Sequence, residues 1–187
     1  LRIRGRHNAL NALAALALAG SAGGDLAPML FGLREYQGEP HRVEAVTVLN
    51  GVEYFDDSKG TNVGATVAAL VGLGSERRVV VILGGDGKGQ DFSPLREPAL
   101  RFVKGVFLIG KDALTIRETL GEDISCTMSG NLEAAVKAAA QQAQTGDLVL
   151  LSPACASLDQ FKDYVARAEA FASEVEELGM RFEGVQA

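Results

Sequence analysis

Three segments carry residue types and spacings suited to handling an anion. Gly84-Gly85-Asp86-Gly87-Lys88-Gly89 sets one lysine and one aspartate among four glycines. It is not a Walker A loop, because that loop needs GxxxxGK followed by Ser or Thr, and Gly89 follows Lys88. Nor is it a dinucleotide fingerprint, since Gly85, Gly87 and Gly89 read GxGxG rather than GxGxxG. What remains is a flexible loop in which Lys88 can hold a carboxylate or phosphate as a point charge. A glycine-rich turn with solvated charges is the plain alternative, and it accounts for two of the glycines but not four.

The second segment is Asp56-Asp57-Ser58-Lys59-Gly60-Thr61-Asn62, ending a strand and opening a helix. Thr61 is the expected N-cap, with neighbouring backbone N–H groups aimed at an incoming anion and Lys59 adding charge. A capped helix and nothing more explains the same residues. The third segment, Ser152-Pro153-Ala154-Cys155-Ala156-Ser157-Leu158-Asp159-Gln160-Phe161, also joins a strand to a helix, and Ser157 and Asp159 can both cap. A nucleophilic thiol at Cys155 needs a base, and His7 and His41 both precede the sheet, so a packed thiol is expected. Neither serine lies in GxSxG, so no hydrolase elbow is indicated. The two histidines have no HxxxH or cysteine partner in metal-ligand spacing, and Cys126 reads as core filler.

These loops need strands and helices to carry them. Val79–Leu83 is a continuous apolar run closed by glycines, as in a strand buried on both faces; Val106–Ile109 and Leu148–Leu151 are similar. Val43–Leu49 and Val52–Phe55 flank Asn50-Gly51, the pair favoured by a type I′ hairpin turn. Helices are predicted at Ala9–Ala19, Leu26–Leu33, Val63–Val71, Pro94–Phe102, Ala113–Leu120, Leu132–Gln144 and Phe161–Leu178. This pattern predicts an α/β fold: a Rossmann-like, mostly parallel sheet with an antiparallel starting hairpin and helices on both faces. Ligands in such sheets gather beyond the carboxyl ends of the strands, where all three loops fall. Glu39-Pro40 breaks the chain, dividing a helical stretch at 1–40 from a sheet domain at 41–187.

Composition narrows the classes. The net charge of −6 argues against coating a nucleic acid, and 47% apolar with 22% charged residues argues against disorder. The apolar stretch Ala12–Ala19 is far short of the ~20 residues that span a bilayer. Arg2, Arg4 and Arg6 before that stretch resemble the outline of a secretory signal. Asn8 and Asn11, three apart on one helix face, favour a packed helix instead. Leu1 in place of Met points to a piece of something longer, or a processed chain. Glycine, 22 of 187 residues, exceeds the usual ~7% and suggests close backbone approaches.

Read in order, the residues resemble a known family. Gly5-x-His7-Asn8-x-x-Asn11, His41-Arg42, Asp57-Ser58-Lys59-x-Thr61-Asn62, Gly84-Gly85-Asp86-Gly87-Lys88-x-x-Asp91-Phe92 and the segment Ser152–Phe161 together are similar to the C-terminal part of the Mur ligases. The last three segments are most like the member that adds D-glutamate, and the resemblance covers essentially the whole chain.

The resemblance implies ATP-dependent activation of a carboxylate as an acyl phosphate, then attack by an amino acid's amine. The acceptor would be UDP-N-acetylmuramoyl-L-alanine and the donor D-glutamate, in peptidoglycan precursor synthesis. It implies that Asn8, Asn11, Arg42, Asp57 and Lys59 hold ATP, with Asn8 and Asn11 on the adenine. It implies that Thr61, Lys88, Ser157 and the Leu158 backbone hold D-glutamate's two carboxylates, with Tyr164 as the aromatic beside the substrate and Lys59 and Lys88 as the catalytic cations. The ATP phosphate loop, the Mg²⁺ ligands and the UDP-binding domain would lie upstream of Leu1, residues 1–40 being the tail of the central ATP-binding domain. A cytoplasmic bacterial monomer, with neither nucleic acid nor membrane as partner and inactive as a fragment, is the further implication. A ligase for another amino acid, a folylpolyglutamate-synthase-like relative and a non-catalytic α/β binding module are the alternatives. The chain departs from the family at Asp56, where Asn is frequent, at Gly60, where Ala is common, and at Asp163, where Asn is common. A carboxylate at position 163 sits awkwardly beside an acidic ligand.

Overall fold

The computed structural model describes residues 1–74 and 78–185. Two helices lead, α1 (Arg6–Ser21) and α2 (Leu26–Glu35). The sheet begins with β1 (Glu44–Leu49) and β2 (Val52–Asp56), an antiparallel pair with Asn50 and Gly51 at φ 51° and 76°. Both φ values are positive, as a type I′ turn requires. There follow α3 (Val63–Gly74), β3 (Val79–Gly84), α4 (Arg96–Phe102), β4 (Val103–Ile109) and α5 (Ala113–Leu120). The chain closes with β5 (Cys126–Gly130), α6 (Leu132–Gln142), β6 (Leu148–Leu151) and α7 (Tyr164–Val185).

The strand order is β1-β2-β6-β3-β4-β5, with every pair parallel except β1 with β2. This is the expected α/β architecture. From β2 to β5 the chain moves one way along the sheet, then returns to insert β6 beside β2. Crossovers are right-handed, so reversing the direction sends the connecting helix to the opposite face. Leu70, Ala99 and Ile116 of α3, α4 and α5 accordingly share one core with Val79, Val81 and Leu83. Val136 of α6 and Phe171 of α7 share the other, with Val80, Ile82 and Val149. Consecutive residues of β3 thus feed opposite cores, which is why its run is apolar without alternation.

Several expectations need correction. Asn62, not Thr61, caps α3: its side-chain oxygen accepts the Ala65 N–H at 2.9 Å. Neither Ser157 nor Asp159 caps α7, which starts later than expected; Asp163 does, accepting the Ala166 N–H at 2.8 Å. That assignment gives Asp163 a local structural role. Strand β5 lacked an apolar run because it is an edge strand, paired only with β4 and half open to water. Cys126 lies on it, partly buried against the first core.

Helix α1 rests on α3 through His7. The ring fits where Gly72 has no side chain, since a Cβ there would lie only 2.0 Å from His7 Nδ1. Ala12 is buried as well, but much of α1 and α2 is open: Leu10, Leu13, Leu18, Leu26 and Phe31 are each more than half exposed.

Candidate active site

The loops after β2, β3 and β6 meet at one edge of the sheet, as the strand-end rule requires. β6 lies between β2 and β3; its chain leaves toward α7 on one face, while theirs leave toward α3 and α4 on the other. The connections therefore diverge around β6, the point where folds of this kind leave a crevice for a ligand.

Backbone contacts fix the crevice walls. Asp86 and Ala156 exchange two N–H···O=C bonds, each 2.9 Å, joining the glycine-rich loop to the β6 loop. The approach demands glycine at position 85, where φ is 129° and a Cβ would lie 2.3 Å from the Ala156 carbonyl oxygen. A fourth loop, Gly110-Lys111-Asp112 after β4, joins the cluster. The Asp112 carboxylate accepts the Gly87 N–H at 2.6 Å, and Lys111 Nζ lies 3.3 Å from Asp86 Oδ1. The Lys88 N–H and the Lys111 ammonium together hold the Asp86 carboxyl below the usual carboxylate range. Sequence reasoning passed over this loop, although a strand running into Gly-Lys-Asp was there to be read.

From the opposite side, α7 sends Arg167 under the site. Arg167 is 1% exposed and donates to the carbonyls of Cys155 (3.1 Å) and Ser58 (2.9 Å), tying the β6 loop to the β2 loop. Burial lowers its pKa to about 10, which leaves it charged at neutral pH. A lone arginine in an amphipathic helix carries no sequence signal of such a role.

On the β2 loop, Lys59 Nζ donates to the Tyr164 hydroxyl at 2.8 Å and lies 4.4 Å from the centre of its ring. The residues expected on the nucleotide side and the amino-acid side therefore touch. Asp57 is buried and turned inward, where its carboxylate accepts the Ser152 hydroxyl at 2.6 Å. Burial pushes its pKa up to about 6, against the Ser152 and Val43 hydrogen bonds that favour the anion. Lys88 is exposed at φ 53°, and its ammonium makes no hydrogen bond or ion pair among the described residues. Thr61 is half-buried, Ser157 is buried within the β6 loop, and Leu158 projects outward at 61% exposure.

The helical stretch meets the sheet domain over a cavity of about 360 Å³ lined by Arg4, Asn8, Glu39, Arg42 and neighbours. Asn8 and Arg42, far apart in sequence, share it. Asn11 is exposed one turn further on and does not line it. Nearby, His41 Nδ1 lies 2.8 Å from Asp56 Oδ2, and Lys59 N–H donates to the His41 carbonyl at 3.1 Å. His41, Glu44 and Asp56 bring three potential metal-ligating atoms within 4.8 Å, a grouping that local spacing could not reveal. The Ser58 N–H on Asp56 and the His41 N–H on Glu44 already occupy part of that set. Cys155 is buried, and burial pushes its thiol up to about 12, the packed and unreactive state expected of it. No helix among the described residues is long and apolar enough to cross a membrane.

Comparisons with known proteins agree with this fold. Curated relatives are the UDP-N-acetylmuramoylalanine–D-glutamate ligases of Polaromonas sp. (63% identical), Albidiferax ferrireducens (61%) and Burkholderia mallei (60%). The alignments cover 95%, 95% and 96% of this chain but 30%, 35% and 36% of those proteins, so it spans about a third of their length. Among solved structures, a UDP-N-acetylmuramate–alanine ligase of Thermotoga maritima superposes with TM-score 0.63 at 22% identity, over 94% of this chain and 39% of that one. A folylpolyglutamate synthase of Mycobacterium tuberculosis superposes at 0.65 with 18% identity, over 92% and 41%. Both likenesses are of fold. The glutamate ligase domain of the Mur ligases matches residues 41–155, and with the loops that converge on β6 it shows that the chain belongs to the Mur ligase family.

Proposed function

We propose that this chain is the C-terminal part of an ATP-dependent ligase that joins D-glutamate to UDP-N-acetylmuramoyl-L-alanine through an acyl phosphate. The observation that carries the proposal is the 60–63% identity, over nearly all of this chain, to enzymes named for that reaction. The crevice chemistry supports it. A dicarboxylate needs two anion sites, and the converging loops carry an exposed lysine, Lys88, and two hydroxyl residues, Thr61 and Ser157, to supply them.

In this reading Thr61, Lys88, Ser157, Leu158 and Tyr164 bind D-glutamate and fix its amine for attack, converting orientation into rate. Lys59, anchored by Tyr164, faces the transferring phosphoryl group, where positioned positive charge does most of the work. Asn8 and Asn11 read the adenine and Arg42 holds the ribose and phosphates, while Asp57, turned inward to Ser152, serves the nucleotide by fixing the loop that carries Lys59. The donor set suits a nucleotide: the Asn8 amide and the Arg42 guanidinium line one cavity. Mg²⁺, when bound, shields phosphate charge; its principal ligands belong to domains outside residues 1–187. Residues 1–40 are the tail of the ATP-binding domain, and the exposed leucines of α1 and α2 pack against its remainder. The working protein is a cytoplasmic bacterial monomer.

Phosphate release by the full-length enzyme carrying this chain tests the proposal. The mixture contains ATP, Mg²⁺ and UDP-N-acetylmuramoyl-L-alanine, with D-glutamate, L-glutamate, L-lysine, meso-diaminopimelate or L-alanine added. Release with D-glutamate alone is expected, and none from residues 1–187 by themselves. Release with a different amino acid overturns the substrate, and release with none overturns the ligase reading.

A further inference from the structure

We infer that Gln90 is a positioning residue that sets the spacing of the amino-acid site and so its preference for the length of the dicarboxylate. The inference rests on the reading above. Gln90 sits half-buried in the turn after β3, and one side-chain amide makes three hydrogen bonds to three different segments. Its Oε1 accepts the Val63 N–H at 3.0 Å, while its Nε2 donates to the Gly87 carbonyl at 3.0 Å and the Ala154 carbonyl at 3.3 Å. Its own N–H closes the turn onto Gly87 at 3.1 Å.

Those anchor points matter through their neighbours. Val63 lies two residues after Thr61, Gly87 adjoins Lys88, and Ala154 lies three before Ser157. One side chain of fixed length therefore spans the three loops that present the groups assigned to D-glutamate.

The same bonds change how an anion can be read here. The first N–H groups of a helix are unpaired and attract anions. At α3 the Val63 N–H is taken by Gln90 and the Ala65 N–H by Asn62. Recognition of the two carboxylates then depends on groups carried by separate loops, and the distance between those loops selects the ligand's length. Gln90 holds that distance. Alanine removes the brace, and asparagine shortens it by one methylene, about 1.5 Å.

The test uses the full-length enzyme carrying Gln90→Ala or Gln90→Asn. It reads kcat and KM for D-glutamate and ATP, and the preference for D-glutamate over D-2-aminoadipate in kcat/KM. Misplacement by about 1 Å can cost about 100-fold in rate. The expected result is a KM for D-glutamate raised about tenfold, a KM for ATP within about twofold of wild type, and a preference lowered about tenfold. An unchanged preference in both variants, with thermal stability alone reduced, overturns the inference, because a purely structural brace does exactly that much and no more. Hydrogen exchange separates the two ideas. If the Val63 amide exchanges faster in Gln90→Ala but wild-type enzyme releases no phosphate with D-glutamate, the ligase reading fails and the specificity role falls with it. If wild type responds to D-glutamate and the preference stays put, only the Gln90 inference fails.

Discussion

Replacing Gly85 with alanine tests whether the crevice is built on backbone contact. A Cβ at position 85 would lie 2.3 Å from the Ala156 carbonyl oxygen and 3.1 Å from Cys155 Cβ, where ordinary contact begins near 3.4 Å. The β6 loop must retreat by about 1 Å, which breaks the two 2.9 Å bonds between Asp86 and Ala156. Two backbone hydrogen bonds contribute about 1 kcal/mol each. A non-glycine residue at φ 129° costs a further ~1–3 kcal/mol, so the expected loss is ~3–5 kcal/mol. Gly89→Ala is the control: φ there is +76°, but nothing lies within 4 Å of the added Cβ, so only the left-handed conformation is penalised, at ~1–2 kcal/mol. Urea denaturation of the two variants beside wild type measures both, and Gly85→Ala should also melt about 10 °C lower. Equal losses for the two variants would refute the reasoning, because the close approach of the loops would then count for nothing.

Other predictions follow from buried groups. Asp57 has its pKa raised by burial from 3.8 to about 6. Between those values the folded protein holds a proton that the unfolded chain has released, so stability falls as pH rises through that window, by up to ~3 kcal/mol. Asp57→Asn, which still accepts the Ser152 hydroxyl, should remove that part of the slope in urea melts from pH 4 to 7; an unchanged slope contradicts the assignment. With its thiol pushed up to about 12 and no exposed surface, Cys155 should resist a thiol reagent at pH 8 until the protein unfolds. Rapid native labelling of both cysteines, followed by mass spectrometry, would show the packing to be wrong.

Much of this architecture is written in local patterns. The apolar runs at Val79–Leu83 and Leu148–Leu151 announce strands covered on both faces, and Asn50-Gly51 announces its turn, because side-chain period and positive φ are properties of a few neighbouring residues. The ordered motifs announce the family, and the strand-end rule selects three of the loops that line the crevice. Strand β5 escaped notice because an edge strand needs neither a continuous apolar run nor alternation when one face is half open. The choice of cap was equally hidden: Thr61 and Asn62 are both competent, and only the path of the chain between β2 and α3 decides for Asn62. Tertiary structure alone assigned work to Gln90 and Arg167, and made Lys59 a partner of Tyr164, 105 residues away. It also turned Asp57 inward to Ser152. Each of these is a contact between segments distant in the chain, decided by where β6 inserts into the sheet. Hydrogen-bond geometry depends on separations of tenths of an ångström in space, and residue order along the chain does not encode them.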